Sequence, residues 1–154
     1  MTRTVLGVCA AGLLGLAVVG MVEPPRAAAA NYGGRQYYGG WSYNEINSYY
    51  YRTYYYRPAV TTVTYSYHYV VYYPSRPRYY YYYNPVRRYY WGRYDTEAKG
   101  YSLLAEADRK EKLEDIKESA FPKPAVMPNV PDSADKVAMD VPPNDVPTGG
   151  PEKK

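Results

Sequence analysis

All 24 tyrosines of this chain lie between Tyr32 and Tyr101. Beyond alanine, the aliphatic residues of the same stretch are Ile46, Val60, Val63, Val70, Val71 and Val86. A conventional Leu/Ile/Val core cannot be built from that set. Whatever buries surface here does so with phenol rings, each a large apolar body carrying one polar atom.

Upstream, residues 1–30 have the three parts of a secretory signal. Arg3 supplies the basic start, residues 5–22 are uncharged, and Glu23-Pro24-Pro25 breaks the run ahead of Ala27, Ala28, Ala29 and Ala30. Small residues at the last and third-last positions predict cleavage after Ala29 or Ala30. The competing reading is a retained anchor, since residues 5–22 reach the lower limit of a bilayer span. Gly7, Gly12, Gly15 and Gly20 dilute its hydrophobicity. The expected location is secreted or cell envelope, periplasmic or extracellular, with membrane contact only if the leader is kept. Cys9, the single cysteine, falls inside the leader. A mature chain would then have no disulfide, thiolate ligand or thiol nucleophile.

Charge divides where tyrosine stops. Residues 31–101 hold nine basic residues (Arg35, Arg52, Arg57, Arg76, Arg78, Arg87, Arg88, Arg93, Lys99) against Glu45, Asp95 and Glu97, a local +6. Residues 102–154 hold eleven acids and eight bases, a local −3. Four regions follow: a leader (1–30), a Tyr/Arg-rich, low-complexity, β-prone region (31–101), a short charged helix (102–120) and a disordered Pro-rich tail (121–154). The expected fold is mostly irregular, with a small β-hairpin or antiparallel sheet over residues 60–83.

The strand prediction rests on residues 60–73, which contain no Pro, Gly or formal charge and are dominated by Val, Thr and Tyr. Alternation would put Val63, Tyr65, Tyr67, Tyr69, Val71 and Tyr73 on an aromatic face, and Thr62, Thr64, Ser66 and His68 on a polar one. Pro74 to Pro77 interrupts the run, residues 78–83 return as a second strand, and a third is placed around residues 86–91. Paired glycines make residues 31–40 irregular. The tandem YYYR at residues 49–52 and 54–57 reads as low-complexity aromatic-basic sequence. Ser102 caps a helix over residues 102–119, although Leu103, Leu104 and Ala107 fall on a different side of the wheel from Leu113 and Ile116. Eight prolines spread over residues 121–154 predict an extended or disordered tail.

Catalytic, metal and cofactor sites are not expected. His68 is the single histidine, with no second imidazole for a metal, and it reads as an ordinary surface residue. Its only triad candidate, Ser66, lacks a nucleophile elbow. The chemistry that remains is multivalent contact by rings and guanidinium planes. Candidate contact residues are Tyr49, Tyr50, Tyr51, Arg52, Tyr54, Tyr55, Tyr56 and Arg57 in the first block. Tyr65, Tyr67 and Tyr69 follow on the predicted strand. Tyr79, Tyr80, Tyr81, Tyr82 and Tyr83 form the second block, and Arg87, Arg88, Trp41 and Trp91 complete the set. Residues 60–73 also match a cross-β profile, and tyrosine burial alone leaves the region near break-even, so association with a partner or a second copy is expected to complete its stability.

The segments YYYRTYYYRP and YYPSRPRYYYYYNP resemble Tyr/Pro-rich secreted proteins of bacterial envelopes, a compositional likeness that transfers no site residue. YYWGRY at residues 89–94 is similar to a Y-x-W-G-x-W repeat, with Tyr94 where the second Trp belongs. The expected function is therefore a non-enzymatic, exported structural or adhesive protein. It would act through Tyr/Arg contacts on itself or on an envelope or matrix polymer. The alternative is a carbohydrate-binding module stacking sugars on Tyr and Trp. Export ranks polysaccharide above nucleic acid as a partner, and salt dependence separates the two.

Overall fold

The computed structural model describes residues 34–147; the expected leader and its cleavage site lie outside them. Among the described residues, seven strands form one antiparallel sheet: β1 (Gln36–Tyr38), β2 (Ser42–Asn44), β3 (Tyr49–Tyr56), β4 (Ser66–Tyr72), β5 (Tyr79–Asn84), β6 (Tyr89–Asp95) and β7 (Gly100–Leu103). The order is β1-β3-β4-β5-β6-β7, with β2 also pairing β3, and the sheet curls into a half-barrel. This corrects the expectation of a mostly irregular chain. The YYYR tandem is not filler: it supplies β3, whose burial alternates at every residue between a buried and a half-buried face.

Three hairpins are built alike. Asn44, Asn84 and Asp95 end β2, β5 and β6, and the side-chain Oδ1 of each accepts backbone N–H groups from its own loop. The donors are Asn47 at 3.0 Å, Val86 and Arg87 both at 3.0 Å, and Glu97 and Ala98 both at 3.0 Å. Four residues further on, Ser48 (φ 52°), Arg88 (φ 56°) and Lys99 (φ 53°) adopt the left-handed conformation, and the next strand begins at once. The side-chain oxygen takes the N–H groups that the turn leaves unpaired, which is why Asx residues favour this position.

Alternation assigns the tyrosines to two faces. Tyr50, Tyr54, Tyr56, Val70, Tyr72, Tyr80, Tyr82, Trp91, Tyr94 and Tyr101 form one buried cluster. Val71, Tyr81 and Tyr90 belong to the other. Between β5 and β6 the register jumps from Tyr82↔Gly92 to Tyr83↔Tyr90, so Trp91 is the bulged residue and joins the first cluster. Gly92 makes the space: a Cβ there would lie 2.4 Å from Cε1 of Tyr101 and 2.7 Å from the Ser102 carbonyl. The Tyr90 N–H freed by the bulge donates to the Lys110 carbonyl at 2.8 Å.

Both faces are covered by the C-terminal half of the same chain. Val130 and Met139, with Met127 and Val146 beside them, close the first cluster. Leu104, Leu113 and Ile116, with Ala120 and Phe121, close the second. Each such aliphatic, fully buried, contributes about 1.5–3 kcal/mol. The expected helix over residues 102–119 is therefore corrected. The segment holds single 3-10 turns at Glu106–Asp108, Leu113–Asp115 and Glu118–Ala120. Its apolar residues share no helical stripe, and an extended path with local turns lays Leu104, Leu113, Ile116 and Phe121 successively on the sheet. The disordered tail is corrected as well. Residues 121–147 are extended but held, with Ala125 bonded to Tyr101 in both directions and Trp41 Nε1 donating to the Asp145 carbonyl at 2.9 Å.

The charge division operates inside the molecule. Arg52 is 4 % exposed. It donates to both Asp145 oxygens at 2.7 and 2.9 Å and from Nε to the Gly39 carbonyl at 2.9 Å, and its guanidinium lies 4.5 Å from the Trp41 ring centre. Arg93 does the same on the opposite face, forking onto Glu118 while wedged between Tyr79 and Phe121 at 3.8 and 4.0 Å. Arg35–Asp135 and Arg88–Glu111 add two more pairs between the basic and acidic halves. The partner that completes burial is thus the chain's own C-terminal half.

Candidate functional site

The expected contact residues separate into four groups. Tyr50, Arg52, Tyr54, Tyr56, Tyr80, Tyr81, Tyr82 and Trp91 are buried, and Trp41 is half-buried over Arg52; all nine serve the interior. Tyr49, Tyr79 and Tyr83 are half-buried at the margin of the second cluster. Arg87 and Arg88 are exposed on the β5–β6 loop, and Arg57 is half-buried with its guanidinium 5.2 Å from the Tyr65 ring.

The remaining members form one continuous surface. Register places Tyr37, Tyr55 and Tyr67 opposite one another on β1, β3 and β4, and Thr53 opposite Tyr69 in the next row. Tyr37 and Tyr55 are stacked, with centroids 4.7 Å apart and an interplanar angle of 19°. Tyr65 closes edge-on to Tyr37 at 5.1 Å. Tyr69 continues the row beside Tyr67 at 5.6 Å and meets Tyr51 at 6.0 Å. Tyr55 and Tyr67 belong to neither buried cluster of the described residues, because the covering segment of residues 104–121 lies over the β5–β6 side of this face. Tyr67 is 42 % exposed. Burial pushes the phenols of Tyr55 and Tyr69 above their ordinary value, so these two stay neutral at neutral pH. An array of rings on a rigid sheet can stack on flat apolar faces with little ordering cost.

Tyr37 was not among the sequence candidates. Its neighbouring glycine pairs signal irregular chain, yet Tyr37-Tyr38 alternate across β1 exactly as the tyrosines of β3 do, and that doublet was the available sign.

A second feature lies on the opposite face of the sheet. A cleft of about 540 Å³ opens between β4, β6 and residues 128–133. His68 and Trp91 line it, 5.5 Å apart. His68 is 5 % exposed, which corrects its placement on a polar surface. β4 begins only at Ser66, so the Thr62 and Thr64 that suggested a polar face lie in the preceding loop. His68 shares its face with Val70 and Tyr72, opposite Tyr54, and its Nε2 lies 3.3 Å from Tyr56 Oη. Burial, with Arg87 nearby, lowers its pKa to about 4, so the imidazole is neutral. Among the described residues no group of His, Cys, Asp and Glu is placed to hold a metal ion.

Compared with known family models, characterised proteins and solved structures, the chain has no match. The functional reading therefore rests on its own geometry.

Proposed function

We propose that this chain is an exported structural or adhesive protein of the cell envelope or extracellular matrix, and that the uncovered tyrosine surface is what it adheres with. The observation that carries this reading is the pairing of Tyr55 with Tyr67, which is 42 % exposed, continued by Tyr69 at 5.6 Å from Tyr67, on a part of the sheet outside both buried clusters. Arg52 and Arg93 are committed to internal ion pairs, so contact is by ring stacking more than by Tyr/Arg pairing. Self-association, if used, would run through this surface and not by strand addition at β4, which is already paired to β3 and β5.

Co-sedimentation with isolated envelope material and with insoluble polysaccharides tests the proposal. Binding should survive added salt and fall about tenfold or more in a Tyr55→Ala/Tyr67→Ala double variant, since each lost stacking contact costs roughly 1 kcal/mol. Undiminished binding by that variant would refute it. The stacked Tyr37/Tyr55 pair also favours the second reading, a carbohydrate-binding module. Saturable, monomeric binding to one glycan marks that module, whereas association with mixed envelope material or with itself marks the adhesive protein.

A further inference from the structure

The cleft on the opposite face of the sheet is distinct from the tyrosine surface and carries its own chemistry. His68 and Trp91 in its lining are 5 % and 6 % exposed, and His68 Nδ1 and Trp91 Nε1 have no hydrogen-bond partner among the described residues. A buried donor or acceptor left unpaired costs about 1–3 kcal/mol, and both of these side chains line the same cleft with their ring centroids 5.5 Å apart. The wall is aromatic, formed by Trp91 and by Tyr89, whose hydroxyl lies 3.4 Å from Arg109 Nη1.

Charge selects among ligands. Arg87 and Arg109 line the same cleft as Glu106 and Asp132. Two cations are balanced by two anions, so the site has no net field to concentrate a phosphate or a carboxylate. What it offers is both kinds of hydrogen-bonding group around an aromatic wall: donors from Trp91 and the two arginines, acceptors from Glu106 and Asp132. A hydroxyl group donates and accepts at once, and a sugar ring adds an apolar face that stacks on aromatic rings. The volume of about 540 Å³ falls in the range of small-molecule pockets, about 300–1,000 Å³.

We propose that this cleft is a binding site for a neutral sugar of one to a few rings, held by hydroxyl contacts to Arg87, Arg109, Glu106 and Asp132 and by packing on Trp91. This does not depend on the tyrosine surface being adhesive. Trp41 and Trp91 are the two tryptophans, so a Trp41→Phe background reports on Trp91 alone. Cellobiose, chitobiose and maltose are titrated at neutral pH, with inorganic phosphate and glutamate as anionic and zwitterionic probes, following Trp91 emission and ligand-observed NMR. The expected result is saturable binding of at least one disaccharide. It should weaken about tenfold in Glu106→Ala and in Arg109→Ala, each of which removes a charged hydrogen-bonding partner. Tyr55→Ala/Tyr67→Ala should leave it unchanged. Both cleft substitutions are of residues outside the buried core, and circular dichroism of each confirms the fold. Binding of none of the three sugars, preferential binding of phosphate or glutamate, or sugar binding indifferent to both cleft variants would overturn the proposal.

Discussion

Acidification should destabilise this protein through one side chain. His68 is the single histidine of the chain, and so the one side chain whose ordinary pKa lies near 6.5. In the folded protein the imidazole is 5 % exposed and its pKa is lowered to about 4, by burial first and the charge of Arg87 second. The unfolded chain therefore takes up a proton near 6.5 that the folded chain refuses until about 4. Stability is full above 6.5, falls through the interval and levels off below 4. Each pH unit in that interval costs about 1.4 kcal/mol, so the whole drop is about 3 kcal/mol. Carboxylates contribute at lower pH: Asp95, Glu118, Asp135 and Asp145 are held below their ordinary values, and the stability from their ion pairs is lost mainly below about 4.5. Urea unfolding of the wild type and His68→Gln at half-unit steps from pH 7.5 to 4.5 separates the contributions. The wild type should lose about 2–3 kcal/mol more than the variant. Parallel curves would show that His68 protonates freely in the folded state and refute its burial as a neutral group.

Other perturbations test the covering segments and the hairpins. Asp145→Asn leaves the buried Arg52 guanidinium short of its counter-ion and should cost about 1–2 kcal/mol, Asp145 itself being half exposed; limited proteolysis should then cut within residues 127–146 sooner than in the wild type. Ser48→Gly and Lys99→Gly relieve left-handed residues and should each raise stability by about 0.5–1 kcal/mol, measured by thermal unfolding. Gly92→Ala drives a methyl group into Tyr101 and the Ser102 carbonyl and should destabilise by about 1–3 kcal/mol. A melting temperature equal to that of the wild type would show that the bulge relaxes freely.

The sheet was legible in part. β4 and all but the last residue of β5 fall within the residues 60–83 expected to pair, because Val, Thr and Tyr runs between proline breaks mark strands irrespective of what covers them. The hairpin signal was also present: Asn44, Asn84 and Asp95 each stand five residues before Tyr49, Tyr89 and Gly100, where the next strand starts. That spacing is a local, physical signature of the turn, and it would have extended the sheet to β2, β6 and β7. The covers were not legible. Leu104, Leu113, Ile116, Val130 and Met139 are sparse and share no period, since their spacing answers to the tyrosine surfaces they meet and to no helix or strand of their own. Their helix-forming neighbours, Glu106 to Lys112, follow intrinsic propensity only until tertiary contact overrides it. Of the candidate site, the tyrosines of β3 and β4 were named from composition, but which of them stay bare depends on where residues 104–121 stop, and only the fold determines that.

The ion pairs between the two halves have a consequence for how the protein is made. Arg52 meets a residue 93 positions later, and Gln36 reaches one 104 positions later. A ribosome therefore releases every strand before it releases the segments that cover them. Until residues 127–146 emerge, the sheet's inner tyrosines have nothing of their own chain to close on, so folding is deferred to the end of synthesis and paced by long loop closures. Closure of the inner tyrosine face therefore waits on contacts made across about a hundred residues of chain.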